Sequence, residues 1–285
     1  MTEYRALLIG EEKFDPKCTR NRGDVTLMKK MLNSVTGPDG GAWMITEGYN
    51  KNKSGVLAAI SDAFADADED DVSLFFIATH GDVDTRGDTA GALAMIPSGE
   101  LRMGELAKAL KAVPGKVIVI IESCGSGAGV YVSKAEQNAA RNDIRNAAKA
   151  FDHAVIEAFS KADTGVAIPG DSHEAVKGAV SANTGELRVE IKFYVLTASR
   201  YQEYSWGSEQ DKYNYFTKWL TDGIGTSGSM PADTNGDGNG TTTLNELFNY
   251  ISKVGDNYGF RSDGRYYYQH VQVYPKDSGF GLFRR

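Results

Sequence analysis

Two stretches of the sequence carry residues able to do chemistry. FFIATHGD places His80 and Gly81 after an apolar run, and VIVIIESCGSG places Cys124 after another, among small residues. A thiol and an imidazole are the pair that nucleophilic attack on a carbonyl needs. The imidazole takes the proton or stabilises the thiolate, and the thiolate attacks. Gly81 and the glycines around Cys124 leave room for a substrate and free backbone N–H groups to hold a developing oxyanion. A structural cysteine and a capping histidine explain the same residues, so pattern alone leaves both readings standing.

A third stretch, DTNGDGNG, sets Asp233, Asn235 and Asp237 at alternate positions, with Gly238 next. This is the opening of an EF-hand-like calcium loop, with hard oxygen donors and a glycine at the sharp turn. Its twelfth position should be a bidentate acid and is Leu244; Glu246 comes two residues late. Either the loop is lengthened over 233–246 and takes Ca2+ through Asp233, Asn235, Asp237 and Glu246, or it holds metal weakly or not at all. The alternative is a solvated Asx/Gly turn capping a helix that begins near Thr243.

These residues need elements to position them. Ala6 to Gly10, Trp43 to Thr46, Val72 to Thr79, Lys116 to Ser123 and Phe193 to Ala198 read as strands, with His270 to Tyr274 as a closing one. Between them lie patterns with three- and four-residue spacing. One helix follows Asp24, with Leu27, Met28, Met31, Leu32 and Val35 inward. A second is capped by Ser54 and turns Val56, Leu57, Ile60 and Phe64 inward. Leu101 to Val113, Tyr213 to Ile224 and Leu244 to Val254 are the others. Alternating strand and helix predicts an α/β fold, a mostly parallel sheet with helices on both faces. Ligands of such sheets bind beyond the carboxyl ends of the strands, where His80 and Cys124 fall. From about 126 to 190 the rhythm breaks. That stretch reads as an insertion, with a polar, Ala-rich helix over about Lys134 to Lys161.

Composition excludes several classes. The 38 acidic and 31 basic residues give a net charge of -7, against nucleic-acid binding. The mean hydropathy is -0.37, and no apolar run approaches the length that spans a membrane. Two cysteines, Cys18 and Cys124, make no disulfide framework. The chain reads as cytosolic.

The ordered set of motifs resembles the caspase-like cysteine peptidases, above all the bacterial caspase-family and metacaspase-type members, with legumain more distant. ALLIG with GDV, LFFIATHGD, GALAMIPSGELRMGELAKAL, KVIVIIESCGSG, VLTASRYQEYSW, YNYFTKWLTDGI, DTNGDGNGTTTLNELFNYI and QHVQVYP follow the family's order. The resemblance implies a caspase-like sandwich over 1–285 as a single peptidase domain. It implies Cys124 as nucleophile, His80 as catalytic histidine, and the Gly81 and Cys124 amides as oxyanion hole. Asp24 and Glu122 match acids that line the pocket for the residue before the scissile bond. Such a pair selects Arg or Lys, since an unpaired buried acid is costly. Each has a plainer role available, Asp24 as helix cap and Glu122 as satisfied core acid. Trp206 is placed beside the pocket. Arg20 and Arg22, close to Asp24 in sequence, keep cleavage after Asp or Asn open. A non-catalytic, calcium-responsive interaction module is the rival of another class. The expected partner is a peptide or protein substrate, with no nucleic acid and no membrane, and a monomer suffices. Ca2+ is the one cofactor considered. Self-cleavage within 126–189, at Lys134, Lys161 or Lys177, is the expected route of activation if there is one.

Overall fold

The computed structural model describes residues 1–13, 20–82, 92–94, 99–123, 159, 162–163, 191–199, 205–208, 212–225, 228–257, 260–262, 265–267 and 269–285. Cys18 and most of the 126–190 stretch lie outside these residues.

The chain opens with β1 (Tyr4–Gly10), α1 (Arg20–Leu32), β2 (Trp43–Tyr49), α2 (Lys53–Ala63) and β3 (Val72–Ala78). A small antiparallel sheet follows, made of β4 (His80–Asp82), β5 (Ala92–Ala94) and β6 (Glu100–Arg102), then α3 (Met103–Lys111) and β7 (Lys116–Glu122). Next come β8 (Phe193–Thr197), β9 (Gly207–Ser208), β10 (Tyr213–Asn214) and α4 (Tyr215–Ile224). The last third holds α5 (Pro231–Thr234), β11 (Thr241–Thr243), α6 (Leu244–Asn257), β12 (Phe260–Ser262), β13 (Arg265–Tyr267), β14 (Gln272–Tyr274) and β15 (Gly281–Arg284). Within the described residues the main sheet has the order β14-β8-β7-β3-β1-β2. Its neighbours pair in parallel except β14, which runs antiparallel to β8. The order reverses between β1 and β3, the switch point where an open parallel sheet leaves a crevice.

Side-chain alternation divides the core in two. Leu8, Phe76, Ile120 and Leu196 face Val25, Met28 and Met31 of α1, Phe216 and Leu220 of α4, and Leu247 and Ile251 of α6. Leu7, Ile9, Phe75, Ile77, Val119 and Ile121 face Val56 and Ile60 of α2 and Leu106 and Leu110 of α3. β3 is buried along its whole length, as a central strand covered on both faces must be.

Several expected boundaries shift for local reasons. The cap of α2 is Asn52, whose side chain accepts from the Gly55 N–H at 2.8 Å, and Ser54 instead donates its hydroxyl to Asn52. The reach before α3 is strand: Leu101 pairs with Leu93, and the helix begins at Met103. Tyr213 and Asn214 likewise form β10 against β9, so α4 begins at Tyr215. Of the stretch read as an insertion, 159 and 162–163 are described. Phe159 is fully buried and meets Phe193 edge-on at 5.1 Å. Asp163 accepts from the Lys192 and Phe193 N–H groups and from the Tyr274 hydroxyl, tying that region to β8 and β14.

Candidate active site

The site forms at the carboxyl ends of the central strands. Gly10 of β1 pairs with Ala78 of β3, and Ala78 with Glu122 of β7, so three strands end level. His80 and Gly81 follow β3 after Thr79 and open β4, with His80 half-buried and Gly81 buried. The Thr79 N–H donates to the Glu122 carbonyl at 3.0 Å, carrying the ladder one step past β3. Ser123, the residue after β7, is buried. Cys124 comes next in sequence and lies outside the described residues.

Asp24 and Glu122 are brought together. Asp24 is the fifth residue of α1, not its cap, and points into the core at 0% exposure; Glu122 is 1% exposed. Asp24 Oδ1 accepts from the Asn214 N–H at 2.8 Å, and Oδ2 accepts from Asn214 Nδ2 at 2.5 Å. The same Nδ2 reaches Asn21 Oδ1 at 3.2 Å. Glu122 Oε1 accepts from the Ser205 hydroxyl, and Oε2 accepts from Thr217 N–H and Oγ1 at 3.0 and 2.9 Å. Thr217 lies in the first turn of α4, where N–H groups have no partner within the helix. Asn214, the N-cap residue, spends its side chain on Asp24 and makes no side-chain cap bond. Glu122 fills that role across the sheet edge, at the helix end that favours an anion.

Close approach holds this arrangement. A β-carbon on Gly23 would lie 1.7 Å from the Lys212 carbonyl oxygen, so only glycine lets α1 touch the start of β10. Two buried carboxylates near one another disfavour double ionisation. Burial pushes Glu122 up to about 7, opposed by the hydrogen bonds from Ser205 and Thr217 and by the charge of Arg20. Burial, then the neighbouring Glu122 charge, holds Asp24 well above the usual carboxylate range. Arg22 turns outward to Glu12 at 3.2 Å and lies over the Tyr49 ring.

Trp206 is half-buried beside this pair. Its backbone N–H donates to Gln269 Oε1 at 2.9 Å, and its backbone carbonyl accepts from the Tyr215 N–H. Gln269 is fully buried and donates to the Ala198 carbonyl and the Ser205 hydroxyl, so the end of β8 and the Ser205–Trp206 segment are held as one unit. Sequence reasoning missed Ser205, Asn214, Thr217 and Gln269. Hydroxyls and amides are too common to stand out, and their roles appear only once Asp24 and Glu122 are seen sealed inside.

The 233–246 loop closes through the late acid. One carboxylate oxygen each from Asp233, Asp237 and Glu246 lie within 4.8 Å of one another. Glu246 Oε1 accepts from the Asp237 N–H at 3.0 Å, and Oε2 accepts from Thr243 N–H and hydroxyl, both at 2.9 Å. The Thr243 hydroxyl accepts from the Glu246 N–H, completing a capping box at the start of α6. Asp233 accepts from the Gly240 N–H, and Gly238 takes the left-handed φ of 68°. Asn235 Nδ2 donates to the Pro231 carbonyl at 2.7 Å. The donor set, all hard oxygen, suits a calcium-sized cation, while the Asx turns and the capping box are also present.

The level strand edge thus carries a histidine after β3 and two buried acids, Asp24 and Glu122, at the end of β7. The family model described as the caspase domain matches residues 3–254, and the chain belongs to that family, whose members are cysteine endopeptidases. Among solved structures, caspase-1 from Spodoptera frugiperda superposes with a TM-score of 0.57 at 12% identity, covering 99% of this chain and 88% of that one. A protein from Geobacter sulfurreducens superposes with a TM-score of 0.53 at 16% identity, covering 95% and 92%. At these identities the likeness carries the fold alone. None of the curated proteins compared matches the sequence.

Proposed function

We propose that the chain is a cysteine endopeptidase in which Cys124 and His80 form the dyad, cleaving after Arg or Lys. His80 takes the thiol proton, and the thiolate attacks the scissile carbonyl. The oxyanion is held by the Gly81 and Cys124 N–H groups. His80 then protonates the leaving amine, and water hydrolyses the thioester. The observation that carries the reading is the buried Asp24/Glu122 pair at the edge where β7 leads into Cys124. Because β3 and β7 end level at Ala78 and Glu122, His80 and Cys124 each follow by two residues. A cationic side chain entering there meets acids already desolvated, so pairing is favoured over leaving them buried alone. A peptide-library profile tests this, with Arg or Lys expected before the cut. Cys124→Ala and His80→Ala are each expected to lower kcat roughly a thousandfold or more while the fold persists. Full activity of Cys124→Ala would overturn the assignment.

Cleavage after Asp is the second reading, and Arg20 beside the acid pair is the observation that favours it. A clear preference for Asp or Asn in the same profile would displace the first reading.

Two regulatory readings belong with this function. We infer that Asp233, Asn235, Asp237 and Glu246 hold Ca2+, which would neutralise the acids the loop gathers. Calorimetric titration of the protein, expected to show one site that Glu246→Gln abolishes, tests this apart from catalysis. Self-cleavage at Lys134, Lys161 or Lys177 is the expected activation step. Intact-mass analysis after incubation with Ca2+ and reductant is expected to show two fragments, and one uncut species from Cys124→Ala.

A further inference from the structure

The acid pair has a cation of its own. Arg20 and Asp24 stand four residues apart on α1, which puts their side chains on one helix face. Arg20 Nη1 donates to the Gly207 carbonyl at 3.4 Å, near the limit of a hydrogen bond. Gly207 lies two residues beyond Ser205, the donor to Glu122. Arg20 Nε is buried and has no hydrogen-bond partner among the described residues. The stem of the arginine rests on Gly207. A β-carbon there would lie 2.7 Å from Arg20 Cδ, 2.9 Å from its Nε and 2.6 Å from Asn214 Oδ1. Glycine at 207 is therefore what lets Arg20 lie along this wall. From there its charge acts on both carboxylates, favouring the ionised form of each.

We propose that Arg20 is a specificity-determining residue, an internal countercation that a substrate's Arg or Lys side chain must displace from the Asp24/Glu122 pair. This rests on the preference proposed above and refines it. Two buried carboxylates near one another disfavour double ionisation, and a guanidinium on the same wall offsets the charge that remains. A second cation then finds no free partner unless Arg20 moves aside. The arginine is built to move. It sits in the first turn of α1, is partly exposed, makes a long bond to a carbonyl and leaves Nε unpaired, unlike a guanidinium clamped by a two-pronged carboxylate contact. Its displacement draws on the binding energy of basic substrates and leaves uncharged ones untouched.

The test compares the parent with Arg20→Ala and Arg20→Gln. Peptide amides with Arg, Lys, Asp or Ala before the scissile bond are the substrates. Inhibition by agmatine, a free guanidinium probe, is the second readout. Removing the internal cation is expected to raise kcat/KM for the Arg and Lys peptides roughly tenfold relative to the Ala peptide, chiefly through KM. Agmatine is expected to inhibit more tightly by a similar factor. A merely structural arginine would not tighten a small ligand. Arg20→Gln keeps the length of the side chain and carries the test should the alanine variant melt early. Basic peptides cleaved by the parent and no better by either variant would overturn the role of Arg20 and leave the pocket assignment intact. A parent that prefers Asp, with that activity lost in both variants, would overturn the basic preference itself and make Arg20 the substrate's anchor. Agmatine that binds none of the three proteins would overturn both.

Discussion

The chain gathers acids in two places by opposite means. Asp24 and Glu122 come from α1 and from the end of β7 and meet only because the domain folds around them. Asp233, Asp237 and Glu246 meet within one turn and the start of α6. The first pair is sealed from water and sustained by donors from Ser205, Asn214 and Thr217. In the second group Asp233 is buried, Glu246 half-buried and Asp237 exposed, and all three hold backbone N–H groups of their own loop. Proximity of carboxylates therefore does not by itself assign a role. In the interior it lifts their pKa values and makes a buried cation welcome. At the surface it offers a hard cation a set of ligands, or merely fixes a turn.

That difference predicts unequal penalties. Glu122→Ala would strand the Thr217 N–H and the Thr217 hydroxyl in the core and remove the acceptor of the Ser205 hydroxyl, an expected loss of about 3 kcal/mol in urea unfolding. Glu122→Gln keeps an acceptor for Thr217 and removes a buried charge, so it is expected to stay within about 1 kcal/mol of the parent. An alanine variant as stable as the parent would mean that the interior pair is not held as described.

Titration sharpens the same contrast. Glu122 is pushed up to about 7, above its ordinary value in the unfolded chain. An acid raised on folding binds its proton more tightly in the native state, so its contribution is whole below the unfolded value and is lost as pH rises through about 7. Asp24 is shifted in the same direction and adds to the trend. Unfolding midpoints of the parent are expected to fall from pH 5 to pH 8, and Glu122→Gln is expected to flatten much of that slope. Equal slopes would place the responsible groups elsewhere. Glu11, also buried and pushed up to about 7 at the end of β1, is the control variant to run beside it.

What the sequence disclosed follows the range of the interactions. The central strands were legible because VSLFFIA and KVIVIIE are apolar throughout, as strands covered on both faces require. The capping role of Ser54 was misread because Asn52, two residues earlier, offers the better acceptor. The short strands at Leu101 and Tyr213 looked helical because their apolar spacing runs on into the helices that follow. Asp24 and Glu122 were legible by resemblance only. Nothing in their spacing announces that Asn214 spans the gap to Asp24, or that Glu122 serves α4 as a cap. The local loop was legible from its alternating acids, and Glu246 stood out as the late acid; the bonds by which it reaches back to Asp237 and caps α6 appear only in the fold.

Asn214→Ala is expected to have an intermediate effect. It removes the Nδ2 bond to Asp24 and the one to Asn21 but leaves the backbone N–H bond in place, for an expected loss of about 1 to 2 kcal/mol. If Asn214 seats Asp24 in the pocket, KM for basic peptides is expected to rise in the same variant while that for alanine peptides stays put.

The smallest expected effect lies in the exposed group and closes the comparison. Glu246 makes its bonds where water can replace them: Oε1 to the Asp237 N–H, Oε2 to the Thr243 N–H and hydroxyl. Removing it breaks a capping box at the start of α6, and without calcium Glu246→Ala is expected to cost about 1 kcal/mol, the ordinary worth of a cap. The freed N–H groups of Asp237 and Thr243 lie near the surface, so no desolvation penalty is added. The interior counterpart has no such recourse, because the Thr217 N–H and hydroxyl are buried. The ratio between Glu122→Ala and Glu246→Ala, measured in one metal-free buffer, is therefore the decisive quantity. A ratio near three would assign the difference to burial. A ratio near one would mean that both carboxylates act as plain helix caps, and the interior pair would lose its claim to a desolvated, cation-selecting pocket.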